Sequence, residues 1–125
     1  MADKTFRLSV VSPDSELYSG DATFLVAQTT VGELGILASH APMLAELAPG
    51  GFVKVTEASG NQTAIAVQGG FLSVTGDSIT VLAEAAQFVS DIDVAAERAV
   101  LESAAEGSEE YLAARSRVRA VEAVA

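Results

Sequence analysis

Phe52-Val53-Lys54-Val55-Thr56-Glu57 and Thr63-Ala64-Ile65-Ala66-Val67, with Ser59-Gly60-Asn61 between them, decide how this chain is read. β-Branched and aromatic residues suit a pleated strand, and a small polar cluster with glycine between two such runs is a hairpin signature. Downstream the arrangement repeats, as Phe71-Leu72-Ser73-Val74-Thr75, Gly76-Asp77-Ser78 and Ile79-Thr80-Val81-Leu82-Ala83. Upstream, Phe6, Leu8 and Val10 alternate with Arg7 and Ser9, the period of a half-buried strand. Phe24-Leu25-Val26-Ala27-Gln28-Thr29-Thr30 supplies another. Short strands with turn signals every 8–12 residues or so predict an antiparallel β-sandwich or barrel.

Beyond residue 87 the composition changes. All three Pro and nine of the ten Gly precede residue 77, while residues 88–125 hold ten Ala and one Gly, Gly107. Alanine favours helix and glycine breaks it, so the expected division is a β-sandwich over 1–87 and a two-helix hairpin over 88–125. Ser90 or Asp91 is the expected cap of the first helix, and Ser108 of the second. Tyr111, Ala114, Val118, Val121 and Ala125 recur at steps of three and four, one apolar stripe on the second helix. Alanine-rich faces bury little area, so the hairpin is expected to be held weakly. The fold class read from the chain is mainly β plus α.

The 125 residues carry 17 acids against 7 bases, a net charge of −10, with no Cys and one His. That charge argues against a nucleic-acid groove or a lipid-headgroup surface, both of which need clustered Lys and Arg. The absence of Cys removes disulfides, thiolate nucleophiles and the usual zinc sites. A lone His removes most His-based metal and triad chemistry. No apolar run approaches the ~20 residues that span a bilayer, and Met1-Ala2-Asp3-Lys4-Thr5 offers no apolar signal segment. The expectation is a soluble, acidic, intracellular protein poor in catalytic groups.

Thr30-Val31-Gly32-Glu33-Leu34-Gly35-Ile36-Leu37, with Ser39-His40-Ala41-Pro42-Met43-Leu44 after it, is the most unusual stretch. On spacing alone it reads as a strand-connecting turn with Glu33 solvated. It is not a phosphate loop, lacking the Lys-Ser/Thr pair and a following helix. His40 next to Ser39 lacks an orienting acid in sequence and reads as a structural or interface imidazole. Gln68-Gly69-Gly70-Phe71 reads as a bend or bulge before a strand. Asn61-Gln62-Thr63 matches a glycosylation sequon, by chance in a chain with no export signal. Arg115, Arg117 and Arg119 are the one basic cluster, read either as a solvated face or as a docking site for an acidic partner.

Taken in order, four landmarks resemble the epsilon-subunit family of the F-type ATP synthase, the counterpart of mitochondrial delta. They are Val10-Val11-Ser12-Pro13 with Leu17-Tyr18-Ser19-Gly20, the 32–44 stretch, Gly69-Gly70-Phe71-Leu72-Ser73-Val74, and Val81-Leu82-Ala83-Glu84. The resemblance covers nearly all of residues 5–93. It implies a non-catalytic central-stalk subunit linking gamma to the membrane c-ring, peripheral at the cytoplasmic face of the cell membrane and held there only through protein contacts. Gly32, Glu33, Leu34 and Gly35 would face the c-ring; His40 and Pro42 would lie at gamma. The helices would make transient contacts with the alpha and beta head subunits, Arg115, Arg117 and Arg119 being the residues available to restrain ATP hydrolysis.

Family members that bind ATP carry an Ile/Leu-Asp-x-x-Arg-Ala segment. Here Ile92-Asp93-Val94-Ala95 is followed by Ala96 where that Arg stands, and Arg98 comes two residues late, on another helix face. Glu84, Asp93 and Arg98 are the remaining ATP candidates, and no cofactor is expected. The alternative from another class is a free-standing β-sandwich module for a ligand or peptide, against which stands the lack of Trp and the presence of only two Tyr.

Overall fold

Alternation places Phe6, Leu8 and Val10 on one side of the first strand, and all three are buried. In the computed structural model, which describes residues 4–124, that strand is β1 (Phe6–Val11). It is followed by β2 (Glu16–Thr29), β3 (Gly32–Leu37), β4 (Met43–Glu46), β5 (Phe52–Glu57), β6 (Gln62–Gln68), β7 (Phe71–Thr75), β8 (Ser78–Leu82) and β9 (Ala85–Phe88). A single 3-10 turn (Val89–Asp91) leads to helices α1 (Val94–Ser103) and α2 (Glu109–Ala123). Both anticipated hairpins form, β5 with β6 and β7 with β8.

The long strand β2 makes the sandwich. Its first part pairs β1, and past a register shift between Ala22 and Phe24 it pairs β5 on one side and β3 on the other. One layer is therefore β4-β7-β8-β1-β2 and the other β3-β2-β5-β6-β9. All pairings are antiparallel except β1 with β8, which run parallel. Leu8, Val10, Leu72, Val74, Ile79 and Val81 of the first layer meet Leu25, Ile36, Val53, Val55, Ile65 and Val67 of the second in one buried cluster. A bulge is the usual means by which a strand turns such a corner.

Tyr18 lies at the edge of this core, its ring tilted against Phe88 at 6.2 Å and its hydroxyl donating to Glu57 Oε2 at 2.8 Å. Burial, then the hydrogen bond and the charge of Glu57, push its hydroxyl from 10.0 up to about 12. The folded state thus favours the neutral phenol, a contribution fully present below pH 10.0 and lost as pH rises through about 12. Tyr18→Phe is expected to flatten the loss of stability across that window, read from urea midpoints at stepped pH. An unchanged alkaline profile would remove Tyr18 from it.

The helices differ from the sequence expectation in two ways. The cap of α1 is Asp93, accepting from Ala96 N at 3.2 Å, not Ser90 or Asp91, because the 3-10 turn occupies those positions. Ser108 caps α2 as expected, accepting from Tyr111 N at 3.2 Å. The stripe through Ala114 and Val118 is buried, but so are Ser116 and Ala120, each two positions and so about 200° round the helix from Val118. Ala125, at the end of the expected stripe, and Met1–Asp3 lie outside the described residues.

α2 is covered on two opposite sides. Ser116 donates its hydroxyl to the carbonyls of Gly51 and Val67, the latter at 3.2 Å, and Ala120 packs with Ala64 and Ala66 beside Phe52. Small residues bury little area yet let the helix lie close to the sheet. α1, with no buried residue, packs on α2.

Candidate functional site

Strand β3 carries the stretch that the sequence singled out, and it is a strand where a turn was expected. Glu33 pairs opposite Gln28, Leu34 opposite Ala27 and Gly35 opposite Val26. The turn is instead Thr30-Val31, one step earlier. The misreading has a physical cause: two glycines suggest a loop, yet Gly35 is there because a Cβ would come within 2.9 Å of the Phe24 ring. Phe24 sits diagonally across the pair, covering the space that a side chain at 35 would take. Leu34 and Ile36 turn inward, so Glu33 projects outward and is exposed.

Thr29 fixes this tip. It is buried, its hydroxyl donating to Gly32 O at 2.7 Å and accepting from Val31 N at 3.3 Å. Val31 is consequently held 85% exposed at the apex. The sequence places Thr29 at the end of a strand and Val31 in the unusual stretch but gives neither a role; a threonine closing a strand before a two-residue turn is the signal that was available.

His40 and Pro42 follow the other end of β3. Ser39 has φ 65, and its N and Oγ lie 3.1 and 3.5 Å from Asp77 Oδ1, in the turn between β7 and β8. Asp77 thereby pins the segment in a conformation that a non-glycine residue seldom adopts. His40 is half-buried, its Nδ1 donating to Ala41 O at 2.7 Å, and Pro42 is exposed. Among the described residues no nucleophile or acid is hydrogen-bonded to the imidazole.

Beyond this segment the outer face of the first layer exposes Leu44, Phe71 and Leu82, by 71%, 46% and 49%. Phe71 and Leu82 are direct cross-strand partners, and Leu44 pairs Ser73 on the neighbouring strand. This apolar group runs into a cleft of about 610 Å³ whose walls include Val11, Pro13, Leu47, Phe71 and Leu82, with Thr30 of the tip at its rim.

The ATP candidates do not converge. Glu84 precedes β9, Asp93 lies beyond the opposite end of β9 and the 3-10 turn, and Arg98 on α1 pairs with Glu122 at 3.5 Å. Asp93 is already engaged as a helix cap. Among the described residues no group of acids and His is placed to hold a metal ion, and no helix is long and apolar enough to cross a membrane.

The three arginines of α2 also part company. Arg115 is exposed beside Gly50, Arg117 bonds both carboxylate oxygens of Glu97 at 3.1 and 3.3 Å, and Arg119 lies 5.7 Å over the Phe52 ring. Steps of two residues turn Arg117 about 200° from either neighbour, toward Glu97, while Arg115 and Arg119 lie about 40° apart on one face, so the three make no common patch.

Residues 5–89 match the family described as ATP synthase, Delta/Epsilon chain, beta-sandwich domain. The whole chain is similar to the ATP synthase epsilon chain of Rhodococcus opacus, 47% identical with 98% of each chain covered. It is likewise similar to those of Nocardia farcinica, 43% identical over 98% of this chain and 94% of that one, and Mycobacterium avium, 45% identical over 90% of each. Two solved structures share the fold. A chain of the Euglena gracilis mitochondrial ATP synthase superposes with a TM-score of 0.70 at 22% identity, over 95% of this chain and 80% of that one. A chain of the Tetrahymena thermophila mitochondrial ATP synthase central stalk and c-ring gives 0.62 at 18% identity, over the full length of both.

Proposed function

The chain belongs to the ATP synthase delta/epsilon family, and from that premise we propose that it is a non-catalytic rotor subunit joining gamma to the c-ring. Glu33 and the exposed Val31 meet the c-ring loops. His40 and Pro42, beyond the other end of β3, meet gamma. The observation that carries this reading is that the two regions flank a single strand: β3 is six residues long, about 17 Å from Gly32 to Leu37 at ~3.3 Å per residue. A force applied at one end passes to the other through β3 and its backbone hydrogen bonds to β2, without crossing a flexible loop. Pinning by Thr29 at one end and Asp77 at the other keeps both contact regions in fixed orientation. The protein sits at the cytoplasmic face of the membrane through these contacts alone.

ATP is not proposed as a ligand, since its three candidate residues are dispersed. Any restraint of ATP hydrolysis through the helices is reduced, because Arg117 and Arg119 are engaged within the chain and Arg115 stands alone.

The test is to solubilise source membranes and isolate a tagged copy of this chain. Gamma, alpha, beta and c should be recovered together; recovery of the chain alone would return the free-standing module to first place. In the recovered complex, Glu33→Ala is expected to lower proton-driven ATP synthesis by up to about fivefold, the scale of one exposed polar contact, with an unchanged melting curve. Unaltered synthesis would displace Glu33 from the c-ring contact.

A further inference from the structure

We propose that α1 is a strap released by salt, leaving α2 in place on the sheet, so that the two helices do not move as one hairpin. The proposal concerns this chain's own packing and stands apart from the assembly reading above.

The two helices are attached by different physics. α2 is anchored by Ser116, fully buried and bonded to two sheet carbonyls, and by Ala120 against Ala64 and Ala66. Salt does not weaken such contacts. None of the ten residues of α1 is buried; it packs on the side of α2 that carries the buried Val118, and among the described residues its polar ties to α2 are two ion pairs. Glu97 meets Arg117 at 3.1 Å, and Arg98 meets Glu122 at 3.5 Å with both side chains more than half exposed. On α2, Val118 and Val121 lie on the side opposite Ser116, so α1 forms an outer third layer.

The closed arrangement also carries a cost. Nε of Arg117 is buried and has no hydrogen-bond partner among the described residues. Lifting α1 returns that group to water. Hinges are available on both sides: Ile92 is extended before α1, and Gly107 has φ 86 in the connection between the helices.

Charge supplies a sharp control. α1 and its flanks carry Asp91, Asp93, Glu97, Glu102 and Glu106, and α2 carries Glu109, Glu110 and Glu122, against Arg98, Arg115, Arg117 and Arg119 as the cations of the two helices. Screening the surplus of acids would tighten α1; only screening of the two pairs loosens it. Loss of α1 at high salt therefore has one explanation.

Hydrogen exchange on the full chain, followed by peptide mass at constant pH in about 0.05 M and about 1 M NaCl, tests this, the Debye length falling from beyond ~10 Å to ~3 Å. Protection over 94–103 is expected to drop about fivefold to tenfold, as two pairs of modest strength allow, while that over 109–123 holds. Glu97→Gln should bring α1 in low salt close to its high-salt value. Ser116→Ala should lower protection in both helices, because α1 rides on α2. The proposal fails if the helices lose protection together with salt, if α1 is indifferent to salt or gains protection, or if α1 is already unprotected in low salt. Release of α2 by Ser116→Ala with α1 unaffected would overturn it as well.

Discussion

Replacing Gly70 by alanine is expected to cost about 3–5 kcal/mol, the upper range for a single substitution and close to the whole stability of many domains this size. Gly70 has φ 110, a conformation that L side chains rarely adopt, and a Cβ placed there would lie 1.8 Å from Leu82 O. The obstacle is backbone, so no rotamer change relieves it. Gly70 also accepts from Leu47 N at 3.0 Å, so moving it disturbs the joint where β4, β7 and β8 meet. Gly69 provides the comparison. Its φ of 65 is left-handed, but a Cβ there meets only the side-chain carboxyl of exposed Glu84, at 3.0 Å. Gly69→Ala should therefore cost about 1 kcal/mol, near the penalty for a left-handed residue alone. Urea melts of the two variants read the difference directly. Equal losses would mean that the positive φ, and not the Leu82 carbonyl, sets the requirement at 70.

Deleting residues 90–125 is expected to leave a cooperative melt, with stability lower by about 3 kcal/mol and a midpoint about 15 °C lower. The sandwich keeps its main cluster, which holds no helical residue. It loses the Ser116 hydroxyl from two carbonyls, worth about 1–3 kcal/mol, and the cover over Ala64, Ala66 and part of Phe52, at about 0.8 kcal/mol per buried methyl-sized group. The boundary proposed at 87/88 is tested by the same experiment. Disappearance of the cooperative transition would mean that α2 belongs to the sandwich's folding unit. An unchanged midpoint would mean that its packing contributes nothing.

Strands with strict alternation and their own turn were legible in the chain. β1, the β5–β6 hairpin and the β7–β8 hairpin each declare themselves within a dozen residues or so, as do Gly107 and the Ser108 cap. What escaped depends on partners distant in sequence. β3 hid behind glycine, whose reason is the Phe24 ring across the pair. β4 and β9 are four residues each, too short for a period to appear. The cap moved to Asp93 because the chain first completes a 3-10 turn after β9. Of the candidate site, Glu33, His40 and Pro42 were found from the landmarks, while the exposure of Val31, Leu44, Phe71 and Leu82, residues of the same stretches, emerged only from the paired strands.

Local patterning by itself determined the class of this protein: a β-rich acidic body, an alanine-rich helical tail, and the motif order of its family. Those properties depend on neighbours a few positions apart, where propensity and period act. Tertiary structure alone decided which ends of β3 face outward, that α2 is seated and α1 strapped upon it, and that Arg115, Arg117 and Arg119 serve three purposes. Each of these turns on contacts between residues dozens of positions apart, such as Ser116 with Gly51 and Val67, whose pairing no local pattern encodes.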